Sequence, residues 1–403
     1  DGNQFAQMAL DHGARIVVVS HWDGSCPTGT AAIVVPDTLL ALQKFAHYWR
    51  RQLEIPVVCI TGSNGKTSTK DFTAAVLKQK FTVSATRGNF NNHIGLPLSV
   101  LATRSEHQAA VWEIGMNHAG ELAPLCEIAM PKFGIITNIG SAHIEHLGTR
   151  DAIAEEKGTL ARALPADGVL FLPANCEYFD YLRQRTKAQI VTVGNGRGIV
   201  RAENLQLHAD RSDFSLVIEG AGPAQVSLPV AGRHMVGNAL LAAAVGWKLG
   251  MSIDEIAAGL SASSLSSGRL RRFTTGGVTV IDDTYNANPE SMAAALETLA
   301  EMPAPVGASR FCVLGKMGEL GALSPVAHIE TGQLAAARGL QVVAVGEGAK
   351  GIADGADSAA YFPDFSEAAE WLSHHVKEGD VVLFKGSRAA AVERLMNTVF
   401  PEN

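Results

Sequence analysis

Along most of the chain, short runs of β-branched and apolar residues alternate with stretches whose apolar positions recur at helical spacing. A buried run bounded by turn residues and followed by a 3.6-residue period marks βαβ units, whose sheets are parallel and covered on both faces. The opening DGNQFAQMALDHGARIVVVS reads as a helix then a strand, and PDTLLALQKFAHYWRRQLE as a helix. Strands are then predicted at IPVVCI, FTVSAT, AAVWEIG, FGIITNIG, GVLFLPAN and QIVTVGNG. Between about residues 200 and 230, SDFSLVIEG and AQVSLPV alternate apolar with polar positions, which predicts a small antiparallel patch. GRHMVGNALLAAAVGWKLG follows as a helix, and the Ser-rich SASSLSSGRLRR sets a boundary near residue 268. The last part repeats the strand–helix pattern at VTVIDD, RFCVLG, LQVVAVG and DVVLFKG. The expected architecture is α/β in three units, residues 1–54, 55–268 and 269–403. Because the chain starts at Asp1 directly in a helix–strand pattern, with no signal-peptide pattern, the first unit is expected to be the remnant of a larger domain.

Length and charge narrow the partners. A chain of 403 residues exceeds what one ordinary core organises. The net charge of −7 is dispersed, which argues against a nucleic-acid or anionic-membrane surface. No apolar run approaches the roughly 20 residues that span a bilayer. The five cysteines stand singly without a C-x-x-C pair, which fits a reducing cytoplasm better than a disulfide framework.

The polar features that could carry chemistry fall at the carboxyl ends of the predicted strands, where open parallel sheets bind ligands. CITGSNGKTSTK places Gly62, Ser63, Asn64, Gly65, Lys66, Thr67 and Ser68 between a strand and a helix. The loop is two residues shorter than G-x-x-x-x-G-K-[ST], but strand, Gly-rich turn and helix N-terminus are all in place for an anion. Lys66 would reach the terminal phosphates and Thr67 would ligate Mg²⁺. Glu113 is an acid in an apolar strand and needs a cation or donors beside it. Asn138 and His143 follow another strand end. Spacing alone fits His143 to a structural role as well as to a metal, and fits Lys157, just after Glu155 and Glu156, to a solvated salt bridge. VGEGAKG matches the dinucleotide pattern G-x-G-x-x-G, though only a weak helical pattern follows it.

TGSNGKTSTK, RGNFNNHIGLPLSVL, EIGMNHAGEL, TNIGSAHIEHLG, GRHMVGNALLAAA, IDDTYNANPESM, LGKMGELG and FKGSR together resemble the Mur ligases of peptidoglycan synthesis, in order from residue 1 to about 396. The compact phosphate loop is itself a mark of that family. DDTYNANPESM resembles the branch that joins D-alanyl-D-alanine to UDP-N-acetylmuramoyl-tripeptide, rather than the sister ligases that add one amino acid. An inactive nucleotide-binding homologue is the other alternative.

The resemblance implies a three-domain fold: a UDP-substrate domain, a central ATP-binding domain and a C-terminal Rossmann-like domain that receives the dipeptide. It implies ATP and two Mg²⁺ sites, with Thr67, Glu113 and His143 as ligands and Lys157 carbamylated by CO₂ as a further one. Lys66, Lys157 and His143 would be catalytic. Asn238, Arg269, Asp283 and Tyr285 would bind the nucleotide with the loop. Asn89, Asn91 and Asn92 would face the UDP-muramoyl substrate, and Asn286, Asn288, Lys385, Ser387 and Arg388 the dipeptide cleft. His328 also fits the pattern. A monomer in the bacterial cytoplasm is expected. Two positions depart from the family: Lys316 stands where an acid is usual, and KGSRAAAVERLM has Ala where Met is common. The uracil-contacting segment would lie mostly before Asp1, so weak hold on the UDP end is expected.

Overall fold

The computed structural model describes residues 1–401. In the first unit, strands β1 (Ile16–Val19) and β2 (Ala31–Val34) pair in parallel. Ala6, Leu10, Val17 and Val19 form its small core, while Ile16, Val18 and Ile33 face outward.

The central sheet contains β3 (Val57–Thr61), β4 (Val83–Ala85), β5 (Ala109–Glu113), β6 (Phe133–Ile136), β7 (Val169–Pro173), β8 (Gln189–Asn195), β9 (Val200–Leu207), β10 (Ser212–Ile218) and β11 (Ala224–Leu228). Its order is β11-β10-β9-β8-β7-β6-β3-β5-β4, parallel from β4 to β9 and antiparallel beyond. The antiparallel patch expected near 200–230 is therefore the far edge of this sheet, joined to it by β9. Sequence periodicity does not reveal β9 because a bulge interrupts it. Asn204 sits at φ 54°, and the pairing with β10 shifts between Asp213 and Ser215. β3, flanked by β5 and β6 inside the parallel part, is buried at all five positions and ends in the phosphate loop.

The third sheet contains β12 (Arg271–Thr275), β13 (Val278–Asp283), β14 (Arg310–Leu314), β15 (Gln341–Val345), β16 (Ala360–Phe362) and β17 (Val381–Lys385), in the order β12-β13-β17-β14-β15-β16. Only β12–β13 is antiparallel. Their two-residue turn is Gly276-Gly277, both at positive φ (55° and 74°), as a type I′ hairpin demands.

The helix Thr38–Arg51, capped by Asp37, lies against the central unit. Trp49 Nε1 donates to Thr103 O. The buried Arg50 guanidinium donates to the carbonyls of Leu53, Ala129 and Met130, the last two at the C-terminus of the helix Leu122–Ala129. Arg50→Met would strand three carbonyls, and each unsatisfied buried group costs about 1–3 kcal/mol. The variant is expected to lose roughly 3 kcal/mol in urea unfolding while keeping its far-UV spectrum.

Two of the three glycines of VGEGAKG, Gly348 and Gly351, serve packing, while Gly346 sits at φ 84°. A Cβ at Gly348 would lie 2.7 Å from Lys316 Cδ and one at Gly351 3.0 Å from His328 Cβ. The helix that follows, Lys350–Gly355, has six residues. It lies so close to the helix Ser324–Ala337 that a Cβ at Gly332 would sit 2.0 Å from Ile352 O. Among the described residues, no helix is long and apolar enough to cross a membrane.

Candidate active site

The phosphate loop is braced from the neighbouring strand end. Asn138 accepts from Asn64 N at 2.9 Å through its side chain and from Ser63 N at 3.0 Å through its carbonyl, and Thr137 Oγ1 donates to Asn64 O. Ser63 Oγ accepts from Gly140 N. Two glycines are obligatory here. Gly62 has φ 147°, and a Cβ on it would sit 1.9 Å from Thr137 Oγ1. Gly65 has φ 77°, and a Cβ there would meet the amide of the buried Asn238 at 2.7 Å. Gly65 is also the N-cap of the helix Lys66–Leu77 and supplies no capping side chain. Lys66 Nζ donates to Gly62 O at 2.8 Å, folded back over the loop.

Glu113, at the end of β5, is 3 % exposed and fully engaged. Thr67 Oγ1 donates to Oε2 and Asn91 Nδ2 to Oε1, each at 2.7 Å. Arg269 Nη2 in turn donates to Thr67 Oγ1 at 2.8 Å, and its guanidinium stacks 4.2 Å from the Tyr285 ring centroid. Asn91, expected toward the muramoyl substrate, donates here to the Glu113 carboxylate.

Three basic groups crowd behind this carboxylate. Burial lowers the pKa of Lys66; Glu113 opposes the shift and Arg269 adds to it. Lys157 is 1 % exposed with no hydrogen-bond partner among the described residues. Burial holds its pKa well below the ordinary lysine value, Lys66 lowers it further, and Glu156 only partly compensates. Glu156 is itself occupied by the amides of Gly120 and Leu122. The solvated salt bridge that spacing alone allows for Lys157 is therefore not formed; Glu155 instead pairs with Arg162 and Arg185. His143 Nδ1 lies 2.5 Å from Glu319 Oε2. Burial lowers the histidine's pKa against the pull of that carboxylate, and Lys66 and Lys157 reinforce it.

Glutamate and threonine oxygens suit Mg²⁺, and a neutral imidazole has a free lone pair. No three His, Cys, Asp or Glu side chains among the described residues converge as a complete metal cage. Such a donor set fits Mg²⁺, which takes one or two protein ligands and completes its shell with phosphate oxygens and water.

The third unit closes over the loop. Asn288 caps the helix Pro289–Glu301, and its Nδ2 donates to Asn64 Oδ1 at 2.8 Å. Glu290 accepts from Ser141 N and Oγ at 2.8 and 2.9 Å. Asp283, at the end of β13, pairs with the buried Lys385 at 2.6 Å, and Lys385 also donates to Asn286 O.

The Mur ligase middle-domain model matches residues 60–246, and the Mur ligase glutamate ligase domain model matches residues 268–388. The UDP-N-acetylmuramoyl-tripeptide–D-alanyl-D-alanine ligase of Escherichia coli is 34 % identical over 99 % of this chain and 88 % of that protein. The chain belongs to the Mur ligase family. MurF from Acinetobacter baumannii superposes with a TM-score of 0.92 at 34 % identity, covering 100 % of this chain and 88 % of that one. MurF from Thermotoga maritima, solved with ADP, gives 0.88 at 28 % identity, covering 99 % and 91 %.

In this Mur ligase, Asn92 Oδ1 accepts from Ile94 N and Gly95 N at the start of the short helix Gly95–Leu101. Arg388 is exposed and pairs with Glu393 at 3.1 Å. Ser387 is buried with its hydroxyl unpartnered, and Asn89 is exposed. Lys316 makes no ion pair among the described residues; its carbonyl accepts from Ser387 N. His328 accepts from Met317 N at 2.9 Å through Nε2, with Nδ1 2.6 Å from Ser324 O, and so braces the loop around residue 318.

Sequence reasoning missed Glu319, Glu290 and His234. Burial pushes His234 down to about 4; Asp283 opposes this and Lys385 adds to it. The unfolded chain takes up this proton near pH 6.5, the fold only near 4. Stability from the neutral ring is therefore whole above about pH 6.5 and lost as pH falls toward 4. His234→Gln should flatten that part of the pH profile of the urea midpoint, and an unchanged profile would refute the assignment.

Proposed function

We propose that this protein joins D-alanyl-D-alanine to UDP-N-acetylmuramoyl-tripeptide, with ATP converted to ADP and phosphate. The observation that carries this reading is one continuous site: the loop of Lys66 and Thr67, the carboxylate of Glu113, and His143 and Lys157 behind it, with Asn288, Glu290 and Glu319 reaching in from the third unit. A kinase could use the same loop; a ligase must in addition enclose an intermediate that water destroys.

The loop amides and Lys66 would hold the terminal phosphates while the tripeptide carboxylate attacks the γ-phosphorus. The acyl phosphate is then attacked by the dipeptide amine, and the tetrahedral intermediate expels phosphate. Thr67, Glu113 and His143 would hold Mg²⁺, which when bound neutralises the charge on the transferring group. Burial and the nearby Lys66 favour the uncharged form of the Lys157 amine that carbamylation requires, and its carbamate would place a negative charge beside Lys66 and serve as a further ligand. Arg269, stacked on Tyr285, ties the nucleotide end of the cleft to the third unit. We also assign residues 1–54, 55–268 and 269–403 to the UDP-substrate, ATP-binding and dipeptide-binding domains.

The test is ADP release by purified protein with each substrate omitted in turn. Release should require both the muramoyl-tripeptide and D-alanyl-D-alanine. Equal release with a single free amino acid would sink the choice of substrate, and release with neither would sink ligation altogether.

A further inference from the structure

Of six non-glycine residues with positive φ among the described residues, two meet each other: His143 at 67° and Glu319 at 58°. Such backbone is unfavourable for residues with a Cβ and persists where surrounding structure enforces it. Here the enforcement is visible on both sides of the domain junction. Glu145 N donates to Glu319 O at 3.2 Å, so backbone as well as side chain is joined across the junction. A Cβ on Gly321 would already lie 3.4 Å from Glu145 Cα. Behind the loop, Met317 N is held by His328 and Lys316 O by Ser387 N. The outcome is one contact, Glu319 Oε2 to His143 Nδ1 at 2.5 Å, with the carboxylate off the axis of the ring N–H.

A metal-binding histidine almost always gives its other ring nitrogen to a carboxylate or carbonyl, which fixes both the tautomer and the plane of the ring. Here that partner arrives from the third unit, 176 residues later in the chain (319 minus 143). We propose that Glu319 is a positioning residue: by taking Nδ1 of His143 it leaves Nε2 as the nitrogen that ligates, and it does so only when the C-terminal domain is closed. Cation affinity is thereby coupled to closure. The inference rests on the placing of His143 in the cation site proposed above.

The probe is Mn²⁺, followed by its EPR signal during titration of the whole protein with a non-hydrolysable ATP analogue present. Glu319→Gln keeps size and removes charge, and should weaken Mn²⁺ binding about 10- to 100-fold. His143→Ala should weaken it similarly, and adding Glu319→Gln to His143→Ala should change it no further. Small-angle scattering of Glu319→Gln with the analogue checks closure; a merely structural role would open the domains without His143-dependent loss of Mn²⁺. Wild-type Mn²⁺ affinity in Glu319→Gln overturns the proposal, as does an equal additional loss in the His143→Ala background, which would make Glu319 a ligand or a general contact. Unchanged affinity in His143→Ala would instead remove His143 from the cation site and this proposal with it, while leaving ligation to be judged by ADP release.

Discussion

Lys157→Met is expected to lower ligation about 10²- to 10³-fold while leaving the folded protein as stable as the parent or more so; loss of one preorganised group costs roughly that much. The two effects separate because Lys157 contributes nothing recognisable to the fold. Its ammonium would have to be buried without a hydrogen bond and beside Lys66, and burial holds its pKa well below the ordinary value. Methionine has similar length and no charge, so it fills the space without that cost. A purely structural lysine would show the opposite signature, a lower urea midpoint with activity retained in the surviving fraction. If the amine carries CO₂, the parent enzyme should slow in CO₂-depleted buffer and recover with bicarbonate, whereas Lys157→Met should respond to neither. Activity of the variant within tenfold of the parent would rule the carbamate role out.

Lys66→Met is expected to reduce ligation about 10²- to 10³-fold, the loss typical when one donor to developing charge is removed. In the structure its ammonium rests on the carbonyls of Gly62 and Ser63 at 2.8 and 3.4 Å. Those bonds keep the side chain over the loop rather than out in solvent, so it needs only to turn toward an arriving phosphate. Nucleotide affinity should fall less than turnover, because the loop amides and the helix N-terminus remain. A change in ATP affinity alone, with turnover at saturation intact, would mean that Lys66 binds the ground state only.

The parts legible in sequence are those written locally. The strand VVCIT, the turn Gly62–Gly65 and the helix after it are consecutive, and their glycines are required by backbone angles that the motif encodes. The parallel strands announced themselves as apolar runs because both faces are buried. β9 did not, because the bulge at Asn204 breaks its alternation. The C-terminal side of the site was the hardest to read. Glu319 and Glu290 are ordinary acids in polar stretches until folding carries one to His143 and the other to Ser141, 149 residues away in sequence. Asn91 and Asn92 show the converse limit: the family resemblance suggests a substrate face for them and says nothing of the contacts folding gives them, Asn91 with Glu113 and Asn92 with the amides of Ile94 and Gly95.

Gly65 caps its helix with nothing, and none of the amides of residues 65–68 has a hydrogen-bond acceptor. A Ser or Asp there would satisfy such groups from within, but here that completion is left to the phosphates. The nucleotide is in this sense a missing piece of secondary structure. At one hundred times its dissociation constant it adds about 2.7 kcal/mol to global stability. Slower amide hydrogen exchange on nucleotide addition should be greatest in the first turn of this helix and fade along it toward Leu77.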